Sequence, residues 1–278
     1  MDRNIQKIRK KTKIFGNAFM KVFKDNYDDV DEFLNLKYGR SKYNVLDVYT
    51  KKDTEDILIL YVHGGGWISM DKELYKPALL YLANRGYMVF NINYRLAPEH
   101  SIDNMEKDII HAMKFALKYS NKSKIFLMGD SAGAHLVSLV TNKLFMNKYK
   151  DSSLKDYIVG NGLFYGVFDL SIVRATHFHD IDIYLSSIVK KNKDKVIYSP
   201  ISYVNKDIPN TFIASGEIDK LNIESKNYYE KLKENNVNVE AIFYPKSVIS
   251  AHHSFLNYYK SYACEDSLNK MIDFLHNI

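Results

Sequence analysis

The stretch Gly129-Asp130-Ser131-Ala132-Gly133 constrains this chain more than any other. It follows the apolar run Ile125-Phe126-Leu127-Met128 and precedes a helical pattern, with Leu136, Leu139, Val140 and Leu144 on one side. G-x-S-x-G between a strand and a helix demands a sharp reversal, and the two glycines remove side chains that would crowd it. The turn leaves Ser131 at the carboxyl edge of a sheet, as a candidate nucleophile.

Other segments fit one pattern of alternation. Val45–Tyr49, Ile57–Val62, Tyr87–Ile92, Lys124–Met128, Tyr157–Phe164, Thr211–Ala214 and Val237–Phe243 read as strands. Ile57–Val62 is apolar throughout, as expected of a strand buried on both faces. A helix with Asp103 and Glu106 as a capping-box-like start carries Met105, Ile109, Met113 and Ala116 on its apolar side. A last helix is expected near Glu265–His276. Alternating strands and helices imply an α/β fold, a mostly parallel sheet covered on both faces, with ligands at the carboxyl ends of its strands. Residues 1–35 are charged, with Phe15, Phe19 and Phe23 at helical spacing, and read as a helical segment packed on the body. Residues 170–198 break the rhythm and read as an insertion over the site. With no Pro/Ser-rich linker and no repeat, residues 1–278 are taken as one domain.

The composition excludes several classes. At 46% hydrophobic and 26% charged, it is that of an ordinary globular protein. The net charge of +6 arises from 39 basic and 33 acidic residues, much of the excess in Lys7, Arg9, Lys10, Lys11 and Lys13. No aromatic groove motif accompanies them, so a solvated surface is expected and nucleic acid is not. No run approaches a membrane span, so no stable membrane insertion is expected. The N-terminus lacks an apolar stretch of signal-peptide quality, and the lone Cys264 suits a reducing compartment; both point to the cytoplasm. A homodimer stays open.

A serine nucleophile needs a base, a carboxylate to orient the base, and donors for the developing oxyanion. His63-Gly64-Gly65-Gly66-Trp67 follows the strand ending at Val62, and three glycines let backbone amides approach a bound carbonyl. The expected donors are the amides of Gly65, Gly66 and Ala132, with Gly64 as a substitute. His177-Phe178-His179-Asp180 resembles a fragment of a metal site, but two ligands at i and i+2 make a weak signal, and no metal is expected.

Together with Tyr94-Arg95-Leu96-Ala97-Pro98-Glu99, these motifs resemble the hormone-sensitive-lipase group of α/β-hydrolases, esterases with HGGG and GDSAG signatures. The resemblance runs from about residue 45 to the C-terminus. It implies an eight-stranded α/β-hydrolase sheet, a helical cap, ester hydrolysis without cofactor, and the chain order Ser, Asp, His. The family's Gly-x-x-Asp falls on Gly216-Glu217-Ile218-Asp219, which assigns the carboxylate to Asp219, with Glu217 as fallback. Lys220 stands where the family has proline, a departure expected to loosen the turn. His-Gly-Phe falls on His253-Ser254-Phe255, which assigns the base to His253 and leaves His252 as a loop residue. His135 would pack along the helix after Ser131. His63, Tyr94 and Arg95 are expected to brace the site loops, and Trp67 to line the acyl or alcohol pocket. The expected activity is serine carboxylester hydrolysis of a small-molecule ester. Formamide hydrolysis, long-chain lipolysis and a non-catalytic binding role are the rivals.

Overall fold

Eight strands form one sheet: β1 (Asp31–Lys37), β2 (Val45–Thr50), β3 (Ile57–Val62), β4 (Met88–Ile92), β5 (Lys124–Asp130), β6 (Ile158–Phe164), β7 (Asn210–Gly216) and β8 (Val239–Tyr244). Their spatial order is β1-β2-β4-β3-β5-β6-β7-β8. Strand β2 is antiparallel to both β1 and β4; every other neighbouring pair is parallel. The helices are α1 (Arg3–Val22), α2 (Lys76–Asn84), α3 (Ile102–Ser120), α4 (Ala132–Phe145), α5 (Ile181–Ile188), α6 (Asn192–Ile197), α7 (Asn222–Glu234) and α8 (Tyr262–His276). This computed structural model describes residues 3–22, 27–172 and 181–278, with backbone alone for 17–22 and 181.

The central strand explains the layering. All six residues of β3 are buried. Successive side chains point to opposite faces, so Leu58, Leu60 and Val62 join α3, α4 and α7, while Ile59 and Tyr61 join α2 and α8. The loops after β3, β5, β7 and β8 all leave from the carboxyl ends of these parallel strands.

Three local readings are corrected. Residues 31–37 form a strand where the charged N-terminal segment gave no strand signal: β1 is an edge strand, exposed along nearly its whole length, so no buried face imposes alternation. The start of α3 uses Ser101, whose amide donates to Asn104 Oδ1 at 3.3 Å. Glu106, expected in that cap, is instead buried against Lys143 Nζ at 2.6 Å. On α1 it is Ile5 that is buried, while Phe15 is exposed; the Phe19 side chain and Phe23 lie outside the described residues. Among the described residues no helix is long and apolar enough to cross a membrane.

Candidate active site

Strand β5 ends at Asp130 and α4 begins at Ala132, so Ser131 alone turns the chain. Its backbone sits at φ 49° and ψ −117°, a region that costs a non-glycine residue energy and persists only when surrounding contacts impose it. Those contacts are present. The Ser131 amide donates to the Phe164 carbonyl of β6 at 2.8 Å. A Cβ at Gly133 would stand 2.0 Å from the Val62 carbonyl, so the first turn of α4 can lie against the end of β3 only with glycine there.

Two loops from neighbouring strands meet this hydroxyl. Asp219 follows β7 and His253 follows β8. His253 Nε2 lies 3.1 Å from Ser131 Oγ, and His253 Nδ1 lies 2.8 Å from Asp219 Oδ2. The buried carboxylate keeps the proton on Nδ1, which leaves the Nε2 lone pair facing the serine. Asp219 Oδ1 accepts the Leu221 amide at 2.8 Å, so one carboxylate both closes the turn into α7 and orients the imidazole. That turn is also held by Asp219 N–H to Gly216 O (2.9 Å) and Asn222 N–H to Asp219 O (3.0 Å), so Lys220 does not loosen it. Glu217 is exposed and pairs with Lys226 at 3.2 Å, away from the imidazole. The Tyr165 ring packs edge-on against His253 at 5.0 Å. His252 turns aside, donating from Nδ1 to the His253 carbonyl at 2.7 Å.

On the opposite side of Ser131 the glycine loop presents backbone amides. Gly65 (φ 107°) and Gly66 (φ 60°) both have left-handed backbone, and a Cβ at Gly65 would stand 2.1 Å from the Ser69 carbonyl. No described residue accepts a hydrogen bond from the amides of Gly65, Gly66 or Ala132. Gly64 is different, which corrects its place as a substitute donor: its amide is spent on Asp130 Oδ1 at 2.7 Å.

Asp130 is the residue that the sequence reading passed over, although it occupies the variable position before the serine. Its buried carboxylate accepts the Tyr61 hydroxyl (2.6 Å), the Tyr75 hydroxyl (3.0 Å) and the Gly64 amide. It thus ties the elbow to the glycine loop. Burial raises its pKa to about 6, against the pull of those three donors. His63 donates from Nδ1 to the Gly64 carbonyl at 2.7 Å, and its ring stacks on Tyr94 at 4.5 Å. Tyr94 donates to the His63 carbonyl at 2.9 Å. Burial lowers the His63 pKa to about 4, so the ring braces the loop as a neutral group. Arg95 grips Asp108 of α3 at 2.7 Å, which pins the following segment.

Trp67 borders the cavity, but its side chain is buried and its indole N–H donates to His135 Nδ1 at 3.2 Å. His135 Nε2–H in turn donates to the Tyr198 carbonyl at 2.7 Å. Both ring nitrogens are engaged, and burial lowers the His135 pKa to about 3; this imidazole links the glycine loop, α4 and the 170–198 segment.

The cavity over Ser131 has a volume of about 170 Å³. Val167 and Leu221 form apolar parts of its wall, and Thr12 of α1 and Tyr184 of α5 line it from outside the sheet. Neither was singled out by the sequence, because nothing in the spacing of either helix marks contact with a distant loop. Among the described residues no three His, Cys, Asp or Glu side chains gather as a metal site; His177–Asp180 lies outside them.

A family profile for the alpha/beta hydrolase fold matches residues 59–255. The chain belongs to the α/β-hydrolase family. This α/β-hydrolase falls in the hormone-sensitive-lipase-like esterase group that its motifs resemble. Kynurenine formamidase of Salmo salar is 27% identical over 205 residues, covering 72% of this chain and 68% of that protein. Acetyl esterase of Salmonella schwarzengrund (strain CVM19633) is 26% identical over 234 residues, covering 76% and 69%. The crystal structure of esterase B from Lactobacillus rhamnosis superposes with a TM-score of 0.84 at 20% identity, over 99% of this chain and 92% of that one, a likeness of fold.

Proposed function

We propose that this α/β-hydrolase is a serine carboxylester hydrolase for small acyl groups. The observation that carries the reading is the unbroken line from Asp219 through His253 to Ser131, at 2.8 and 3.1 Å, beside amides at residues 65, 66 and 132 that have no acceptor among the described residues. Ser131 Oγ attacks the acyl carbon while His253 Nε2 takes its proton. The carbonyl oxygen becomes an oxyanion held by the amides of Gly65, Gly66 and Ala132, the last at the positive end of α4. Collapse breaks the bond to the leaving oxygen, which receives the proton from His253. Water, deprotonated by the same nitrogen, attacks the acyl-serine, and the acid leaves as Ser131 regains its proton. Asp219 holds the imidazole and stabilises its cation throughout.

Acyl size follows from the cavity. About 170 Å³ is below the roughly 300–1,000 Å³ of sites for drug-sized ligands, which favours a short acyl group over a lipid chain. We read α1 and the 170–198 segment as a cap, supported by Thr12 and Tyr184 at the cavity's roof. The buried, unpaired Cys264 fits a cytoplasmic setting.

A second reading is hydrolysis of an activated formamide. The same steps serve, with nitrogen as the leaving atom, and the formamidase relative supports it. The test is a panel of p-nitrophenyl esters from acetyl to long chain with an aryl formamide, run on the native protein and Ser131→Ala. Short esters turned over best, with loss in the variant, is the expected result. Formamide turnover with negligible ester turnover selects the second reading. No turnover of either overturns both in favour of a binding role.

A further inference from the structure

Helix α1 carries seven basic residues and no acidic one, whereas the whole chain has a net charge of only +6. That charge is held in a fixed place. Arg9 donates to the Ile68 carbonyl (2.7 Å) and the Ala97 carbonyl (2.8 Å), and its two terminal nitrogens grip Glu99 at 2.9 and 2.7 Å. One guanidinium therefore clasps α1 to the segment after the glycine loop and to the 94–99 segment. Thr12, one turn further along, reaches the cavity over Ser131.

Two outer cavities meet the active-site cavity at Thr12. One, of about 290 Å³, has mixed walls: Arg9 and Lys13 face Asp71 and Glu73. The other, of about 280 Å³, lies between α1 and α5 and shares both Thr12 and Tyr184 with the active-site cavity. Its charged wall is Lys7 and Lys11, one helical turn apart, with Asn4 a further donor; among the described residues no carboxylate lines it. Neither lysine has an ion-pair partner among the described residues.

We propose that this cationic groove binds a carboxylate on the leaving half of the substrate, so that the preferred substrates are small-acyl esters of anionic alcohols or phenols. The inference rests on the hydrolase reading above. The acyl group stays on Ser131 within the small cavity, and the departing half is the one that needs room past Thr12 and Tyr184. Two ammonium groups on one face of a clasped helix, without an ion-pair partner among the described residues, supply charge-assisted hydrogen bonds to an anion and raise its local concentration.

The test compares 4-acetoxybenzoate with its neutral twin, methyl 4-acetoxybenzoate, on the native protein, on Lys7→Gln/Lys11→Gln, and on the charge-matched control Lys118→Gln/Lys150→Gln. Exposed Lys-to-Gln changes on helices or loops leave the fold intact. The native protein is expected to favour the anion about tenfold in kcat/KM. The groove variant loses that preference through KM, leaves the neutral ester unchanged, and the control keeps the preference. Equal treatment of the two esters by the native protein, equal slowing of both by the groove variant, or the same loss in the control overturns the inference. Calorimetric titration with 4-hydroxybenzoate separates this inference from the reading beneath it. If neither ester turns over, the hydrolase reading fails, and the inference then stands or falls on whether 4-hydroxybenzoate binds the native protein about tenfold tighter than the groove variant.

Discussion

The floor and the roof of the cavity are built differently. The floor is the carboxyl edge of the sheet: Ser131 strained between β5 and α4, the glycine loop tied to Asp130, and the His253 ring wedged against Tyr165. The Ser131, His253, Asp219 and Asp130 side chains there are all hydrogen-bonded to one another or to the glycine loop and its tyrosines, while the amides of Gly65, Gly66 and Ala132 have no acceptor among the described residues. The roof is two helices that, among the described residues, contribute one side chain each, Thr12 and Tyr184, and α1 is drawn onto the site loops through Arg9. On the proposed reading, the chemistry belongs to a floor fixed by mutually dependent contacts, and selectivity to a roof lined by α1 and α5. Substitutions in the floor should therefore damage turnover or stability, and those in the roof should change KM.

The largest effect is expected at the nucleophile. Ser131→Ala should lower kcat/KM for p-nitrophenyl acetate by roughly 10⁴- to 10⁶-fold with little change in the urea midpoint. A variant that retained full activity would detach the floor from the chemistry.

Asp130→Ala should come next. It strands the Tyr61 and Tyr75 hydroxyls and the Gly64 amide in a buried site, which costs about 3 kcal/mol. Loss of the tie to the glycine loop should lower kcat about 100-fold, as expected when an oxyanion donor is misplaced. The same carboxyl gives a pH signature. Its folded pKa, about 6, lies above the ordinary 3.8. Below about pH 4 the carboxyl is protonated whether folded or unfolded, and ionisation costs the fold nothing. Between about 4 and 6 the unfolded chain has released the proton that the fold retains, so stability falls as pH rises, and the full cost remains above 6. It amounts to about 3 kcal/mol. Urea midpoints of the native protein and Asp130→Asn at pH 4 and pH 7 should show the native protein losing ground to the variant by that amount; a constant difference would place the carboxyl outside this linkage.

Arg9→Ala tests the roof. It removes the clasp on Ile68, Ala97 and Glu99 and should raise KM about tenfold while kcat changes less than threefold. A fall in kcat alone would mean that α1 acts on the floor. The smallest effect is expected at Ser254, which holds φ 68° where the family has glycine. Ser254→Gly relieves left-handed strain of about 1 kcal/mol, partly offset by the freer unfolded chain, so the urea midpoint should rise slightly with activity unchanged.

The floor was legible in the sequence and the roof was not, for physical reasons. Sharp turns and close backbone approaches restrict residue identity, so Gly65, Ser131 and Gly133 announce themselves locally. Strands β3 and β5, buried on both faces, leave continuous apolar runs. Asp219 and His253 came from the resemblance rather than from spacing, because two loops that meet in space carry no mark of it in the chain. Asp130 lay beside the serine unread, since a buried carboxylate and an exposed one look alike until its partners, Tyr61 and Tyr75, are placed. Strand β1 is exposed and shows no alternation. Arg9 sits in a run of basic residues that hides the one pinned to carbonyls. Thr12 and Tyr184 matter only through a cavity shared between distant elements.

The central claim is that the acyl group passes through Ser131. Treatment of the protein with one equivalent of a p-nitrophenyl alkylphosphonate, followed by intact-mass and peptide mapping, tests it directly. The account predicts one adduct per chain, on Ser131, with activity lost in proportion and no adduct in Ser131→Ala. Continued ester hydrolysis without an adduct, or an inactivating adduct on another residue, would contradict it.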